Sequence, residues 1–167
     1  MATNNAVNTY ITPTANNEVT MPSQPAFMAW IDTTILNVTG DATLYTIIYD
    51  TEEFDVNADF NLGTSTFTAP VTGKYEFSIK TCPIGAAAYT SLYGEFVASN
   101  CTYRYAYSTD ATECQNIENH NGTTLVDMDA SDTLTVNIYY AGDTKTVALI
   151  GDTGGQPNNW LCGYLAT

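Results

Sequence analysis

Side chains able to do acid–base or metal chemistry are few in this sequence and widely scattered. A single histidine, His120, stands in "NIENHNGTT", among asparagines and a glycine. A serine or cysteine triad needs that imidazole beside a nucleophile and an orienting carboxylate, and nothing around it supplies the set. The expectation is an exposed loop residue. Carboxylates gather at "DTEEFD" (50–55) and "DMDASD" (127–132). Two of them form an acid/base couple only if a cleft raises the pKa of one, so solvated turns are the simpler reading. Ca2+ takes several oxygen ligands, and Asp127, Asp129 and Asp132 are the group best spaced to offer them. Neither cluster has the glycine and terminal glutamate of an EF-hand loop. "GDTGGQP" (151–157) has glycines for a phosphate cradle but lacks Lys-Ser/Thr and a following helical pattern, which leaves a strand connection. Cys82, Cys101, Cys114 and Cys162 show no C-x-x-C spacing, so a zinc cluster is not expected. They permit several disulfide pairings that sequence cannot choose between; free, largely buried thiols are expected in a reducing compartment. No enzyme signature emerges.

Composition narrows the class further. Of 167 residues, 12 are Tyr and 6 Phe, and only 13% are charged, which favours β-structure. Lys74, Lys80, Arg104 and Lys145 face 18 acids, for a formal charge of −14. Such a surface repels phosphate backbones and anionic bilayers, so neither a nucleic-acid nor a membrane partner is expected. No apolar run approaches the roughly 18–20 residues of a membrane span. The opening "MATNNAVNTY" carries neither a basic leader nor an apolar segment, which suggests synthesis in the cytoplasm.

The elements that must position these residues are strands. "AFMAWI" is one, "TLYTIIYD" (43–50) reads as a strand buried on both faces, and "CTYRYAYS" sets Cys101, Tyr103, Tyr105 and Tyr107 on one face. "DTLTVNIYY" aligns Leu134, Val136, Ile138 and Tyr140, and "KTVALI" and "NWLCGYLA" follow. Short alternating runs separated by Gly, Asn, Asp and Pro predict an antiparallel sandwich. Residues 1–25 differ: three prolines, five asparagines, one charge at Glu18 and no glycine make an extended arm. Val7, Tyr10, Ile11, Val19 and Met21 are apolar anchors by which that arm would order on another protein's surface. The division expected is an arm at 1–25 and one domain at 26–167.

Residues 67–79, "FTAPVTGKYEFSI", keep apolar residues or glycine at every odd position across a break at Pro70 and Thr72-Gly73. The stretch resembles the F-x-A-P-x-x-G-x-Y-x-F segment of the C1q/TNF-like jelly roll. "PAFMAWI" (25–31) is similar to that family's opening strand, "NVTGDATLYTIIYDTEEFD" (37–55) to its next strands, and "LCGYL" (161–165) to its closing F-x-G-x-L element, with Leu161 in the aromatic's place. The middle, from Cys82 to Gly122, matches no part of the family pattern, and there is no collagen-like G-X-Y run.

The resemblance implies an all-β, ten-strand, two-sheet jelly roll assembling as a homotrimer. It makes Phe27, Phe67, Pro70, Gly73, Tyr75, Phe77 and Gly163 the core and trimer signature, with Val71 also filling the inter-sheet core. Trp30, Tyr75 and Tyr164 become candidates for the trimer contact. An acidic, lysine-poor knob behind an apolar-dotted arm looks like a bacteriophage virion component: a decoration knob whose arm grips the major capsid protein. The alternatives are a receptor- or glycan-binding tip of a head or tail fibre, and a freestanding C1q-like ligand-binding module.

Overall fold

The computed structural model describes residues 12–13, 19–86, 88–111, 117–152 and 154–167, and at 12–13, 19–20 and 110–111 the backbone alone. Its strands are β1 (Thr12–Pro13), β2 (Val19–Thr20), β3 (Ala26–Trp30), β4 (Ile35–Thr39), β5 (Leu44–Thr46), β6 (Thr51–Val56), β7 (Phe60–Asn61) and β8 (Thr66–Thr68). After these come β9 (Gly73–Thr81), β10 (Pro83–Ile84), β11 (Tyr89–Ala98), β12 (Thr102–Ala111), β13 (His120–Met128), β14 (Thr133–Ala141), β15 (Val147–Leu149) and β16 (Trp160–Leu165). No helix occurs among the described residues.

One sheet, named here for its long strand β9, runs β13-β9-β16-β3-β6; the other, named for β14, runs β12-β11-β14-β8-β7, with β5 also paired to β14. A smaller ladder, β10-β15-β4, adjoins them, and β1 pairs with β2 alone. The pairings are antiparallel. This is the all-β, two-sheet jelly roll that the strand pattern and the resemblance predict.

Alternation builds the core. Phe27 and Ala29 of β3, Tyr75, Phe77 and Ile79 of β9, and Leu161 of β16 point inward from the β9 sheet. Leu92 and Phe96 of β11 and Leu134, Val136, Ile138 and Tyr140 of β14 meet them. Each of the Phe, Leu, Ile and Val side chains among them contributes about 1.5–3 kcal/mol by leaving water. Phe27 stacks on Phe60 at 4.5 Å and on Phe67 at 5.2 Å between ring centroids. Gly163 makes room for this cluster, since a Cβ there would lie 2.6 Å from the Phe77 ring and 2.9 Å from Phe27.

The break at residues 70–73 now has a physical reason. Phe67 belongs to β8 in the β14 sheet and Tyr75 to β9 in the opposite sheet, so the chain changes sheets between them. Both sheets turn their inner faces to the same core, so Phe67 and Ala69 before the bend and Tyr75, Phe77 and Ile79 after it are all buried. Phe67 lies 5.3 Å from Tyr75 and 5.3 Å from Phe77. Tyr75 Oη donates to the Val71 carbonyl at 2.8 Å and closes the corner. The Val71 side chain does not fill the core: it is 46% exposed, because residues 70–72 are the bend itself, where strand alternation stops.

Two strand assignments also change. Residues 43–50 do not form one doubly buried strand: β5 ends at Thr46, and Leu44 is exposed while Ile47 and Tyr49 are buried. β5 pairs with β14 alone, and Leu44, opposite Tyr139, stands on the outer face of that sheet. In β12 the register shifts opposite Gly94/Glu95, with Glu95 facing Arg104 and Gly94 facing Ala106. Tyr105 is the extra residue of this bulge, and a bulge re-aims the side chains around it. Tyr103 and Tyr105 pack on the core, whereas Tyr107 turns out to solvent, 63% exposed.

Candidate functional site

An apolar groove of about 500 Å³ opens where the N-terminal segment joins the sandwich. Met21, Pro25, Pro70, Val71, Leu165 and Ala166 give it its apolar walls, and Ser23, Gln24, Asn57 and Thr167 complete the rim. The walls are hydrogen-bonded to one another. Leu165 N donates to Pro25 O at 3.0 Å, Ala166 N to Lys74 O at 2.7 Å, and Lys74 N to Thr167 O at 2.8 Å. Gln24 Nε2 donates to Leu165 O, and Asn57 Nδ2 to Ser23 O at 3.2 Å. Gly73 permits the close approach of the chain end, because a Cβ there would meet Leu165 at 2.6 Å. Met21 is 52% exposed on the rim. Of the other arm anchors, Val19 lies in β2, and Val7, Tyr10 and Ile11 lie outside the described residues. Pro25 is buried, so the end of the arm nearest the domain is part of the jelly roll's own packing.

A second surface is the outer face of the β9 sheet. Register places Phe54, Met28 and Cys162 side by side on neighbouring strands, Trp30 opposite Trp160, and Tyr164 next to Ala26 and Glu76. Leu125 stands opposite Glu76 on β13. Phe54, Leu125 and Tyr164 are exposed, and Trp30 is half-buried. Of the trimer-contact candidates, Trp30 and Tyr164 lie on this face. Tyr75 does not: it is wholly buried within the protomer core, because it occupies an inward position of β9.

The outer face of the β14 sheet is different. Tyr93 stacks on Tyr139 at 4.5 Å between ring centroids. The Arg104 guanidinium lies 4.7 Å from the Tyr93 ring centroid and 5.3 Å from that of Tyr107. Its Nε donates to Glu95 Oε1 at 2.8 Å. The result is a column, Tyr139–Tyr93–Arg104–Tyr107, in which the cation is held between rings and bonded to a carboxylate.

His120 is not the exposed loop residue expected. It opens β13 opposite Thr81 of β9, which directs it inward, and its side chain is largely buried. Tyr140 Oη donates to Glu118 Oε2 at 2.6 Å and lies 2.9 Å from His120 Nε2. His120 Nε2 is 3.2 Å from the same carboxylate oxygen. Burial, then the hydrogen bond and charge of Glu118, push the Tyr140 pKa far up. Burial likewise raises that of Tyr105. A phenol held protonated is a donor, not a base, so the cluster ties β13 to β14.

The acidic clusters serve turns. Asp50 accepts from Asp32 N at 2.6 Å and Thr33 N at 3.1 Å, and Asp55 accepts from Asp59 N and Phe60 N. Asp132 accepts from Asp129 N at 2.9 Å, Asp129 accepts from Thr72 Oγ1 at 3.4 Å, and Asp127 faces Lys74 at 3.7 Å. The three candidate Ca2+ ligands therefore point to different partners, and no group of three metal-binding side chains converges among the described residues. Cys82, Cys101 and Cys162 are free, and burial raises the thiol pKa of Cys82 and Cys162; Cys114 lies outside the described residues.

No protein-family model and no curated protein sequence matches the chain. Solved structures do. The globular domain of zebrafish complement 1qA protein aligns with 86% of this chain and 98% of its own length, at 15% identity and a TM-score of 0.58. Murine APRIL aligns with 85% of this chain and 98% of its own, at 8% identity and a TM-score of 0.57. At these identities the likeness establishes the fold, a C1q/TNF-like jelly roll.

Proposed function

We propose that this chain is a non-enzymatic structural protein of a bacteriophage virion. In this reading it is a homotrimeric jelly-roll knob anchored on the major capsid protein by its N-terminal arm. The observation that carries the trimer is the outer face of the β9 sheet. Phe54, Leu125 and Tyr164 are exposed there beside Met28, Trp30 and Trp160. Apolar area of this kind stabilises an assembly by about 25 cal/mol for each Å² it removes from water. The virion reading rests on the arm and the charge. Residues 1–17 carry no charged side chain, while the whole chain has a formal charge of −14. Three arms attached to one knob would turn weak individual contacts into avidity.

Light scattering coupled to gel filtration tests the assembly. A mass near three times 18.1 kDa is expected, and a stable monomer would overturn the trimer. The attachment test removes residues 1–20 and keeps Met21–Pro25, which line the groove. The truncated trimer should stay folded and no longer bind purified shells; undiminished binding would sink the anchoring role. A second reading, a receptor- or glycan-binding fibre tip, draws support from the Tyr139–Tyr93–Arg104–Tyr107 column, which projects from the sheet opposite the apolar face.

A further inference from the structure

We infer that the outer face of the β14 sheet binds an uncharged oligosaccharide, laid against the Tyr107 ring and held by outward N–H groups of Arg104 and Asn137. Such a site would serve the fibre-tip reading above, on which its biological purpose rests; the binding itself requires neither the trimer nor a shell.

Strand register lays two rows side by side on this face. One runs Tyr107–Tyr93–Tyr139–Leu44 across β12, β11, β14 and β5. The next runs Arg104–Glu95–Asn137–Thr46 across the same four strands. Hydroxyl side chains flank them, Ser91 and Thr109 beyond the first row, Thr102 and Thr135 beyond the second. A protein partner needs apolar area to bury at the centre of its contact. Among the described residues of these rows only Leu44 and Tyr107 are large hydrophobics exposed to that extent.

Charge selects a neutral ligand. Arg104 and Glu95 are the charged members of these rows, and they neutralise each other at 2.8 Å. The chain as a whole carries −14. An anionic ligand is repelled by that field and finds no unpaired cation here to offset the repulsion. An uncharged, hydroxyl-bearing ligand meets a patch as neutral as itself.

The outward groups fit a sugar ring. The Arg104 side chain is 51% exposed and that of Glu95 14%, so the guanidinium stands above its carboxylate. Glu95 engages Nε alone, and the two terminal nitrogens have no hydrogen bond among the described residues. Asn137 Oδ1 accepts from Thr46 Oγ1 at 2.8 Å, which leaves Nδ2 to donate. Arg104 lies 5.3 Å from the Tyr107 ring centroid on one side, and the residue is 63% exposed, so the other ring face is open. That face is the negative side of the ring quadrupole and attracts the weakly positive C–H groups of a pyranose. The N–H donors meet its hydroxyl and ring oxygens.

The test applies the full chain to an array of neutral, carboxylated and sulfated oligosaccharides, then titrates the strongest neutral binder by calorimetry. Retention of neutral glycans is expected. Tyr107→Ala and Arg104→Ala should each weaken binding about tenfold with an unchanged thermal midpoint, and Tyr107→Phe, which keeps the ring, should stay within about threefold. Leu36→Ala, exposed on β4, should bind as the parent does. Retention of carboxylated or sulfated glycans alone would overturn the neutral ligand. Neutral binding indifferent to both alanine substitutions would overturn this site while leaving a glycan-binding tip intact. No retention at all would overturn the inference, whereas the arm and the trimer stand or fall by shell attachment and mass.

Discussion

On the outer face of the β9 sheet, Phe54, Met28 and Cys162 lie in one cross-strand row and Trp30 faces Trp160, with no ring of the described residues stacked over them. On the outer face of the β14 sheet, Tyr139, Tyr93, Arg104 and Tyr107 cover one another's faces, and Glu95 neutralises the cation. Both faces obey the same two-residue alternation. One leaves apolar side chains exposed among the described residues, the face that the proposed assembly would bury; the other has met its own needs within the sheet. The presence of tyrosine alone would not separate them, because Tyr164 lies on one face and Tyr93, Tyr107 and Tyr139 on the other. The difference lies in whether the ring faces are already in contact.

The largest effect should come from the core that both sheets share. Phe77→Ala removes a ring packed on Phe67 at 5.3 Å, and should cost about 3–5 kcal/mol in urea unfolding. It supplies a reference for pure loss of fold, affecting both outer faces alike. Next, Phe54→Glu combined with Leu125→Glu should weaken self-association by roughly a hundredfold, about 2.7 kcal/mol, with little change in monomer secondary structure. The matching pair on the other face, Leu44→Glu with Tyr107→Glu, should leave the mass in light scattering unchanged. If both pairs dissociate the assembly equally, the contrast between the faces is wrong.

Tyr140→Phe should cost about 1–3 kcal/mol, because it leaves Glu118 without its donor and His120 Nε2 without its phenol partner. The same phenol gives a pH test. Tyr49, Tyr105 and Tyr140 all have pKa values raised above 10.0 by burial, so the folded state binds more protons than the unfolded state once pH exceeds 10. Their stabilising contribution is complete below about pH 10 and falls as pH climbs from there towards the raised folded values. Thermal midpoints should therefore drop steeply above pH 10, and tyrosinate absorbance from these groups should appear with unfolding and not before it. The smallest effect is expected from Arg104→Ala, which removes an exposed cation from the column. Its thermal midpoint should match the parent's within error, and a large fall would mean that the column supports the fold.

Much of the fold was legible because alternation is written in residue types. "DTLTVNIYY" announces Leu134, Val136, Ile138 and Tyr140 as one face, and all are buried. The groove was less legible. Met21 stood out as an apolar residue in a polar arm, yet Val71, in phase with Phe67 and Tyr75, read as core. Nothing local distinguishes a side chain at a bend between sheets from its buried neighbours.

The sequence by itself determined most of the strands, the lack of a helical period, and the inward phase shared by Phe67, Ala69, Tyr75 and Phe77. Those follow from single-residue properties repeated at a spacing of two. Only the tertiary structure decided that Val71 faces a groove, that Tyr107 turns outward, and that His120 is drawn in beside Tyr140. Each depends on a partner distant in the chain: the strand end at Leu165, the bulge set by pairing with Gly94 and Glu95, and the ladder of β13 on β9. A side chain's period tells which residues share a face; what covers that face is settled by whichever strand comes to lie against it.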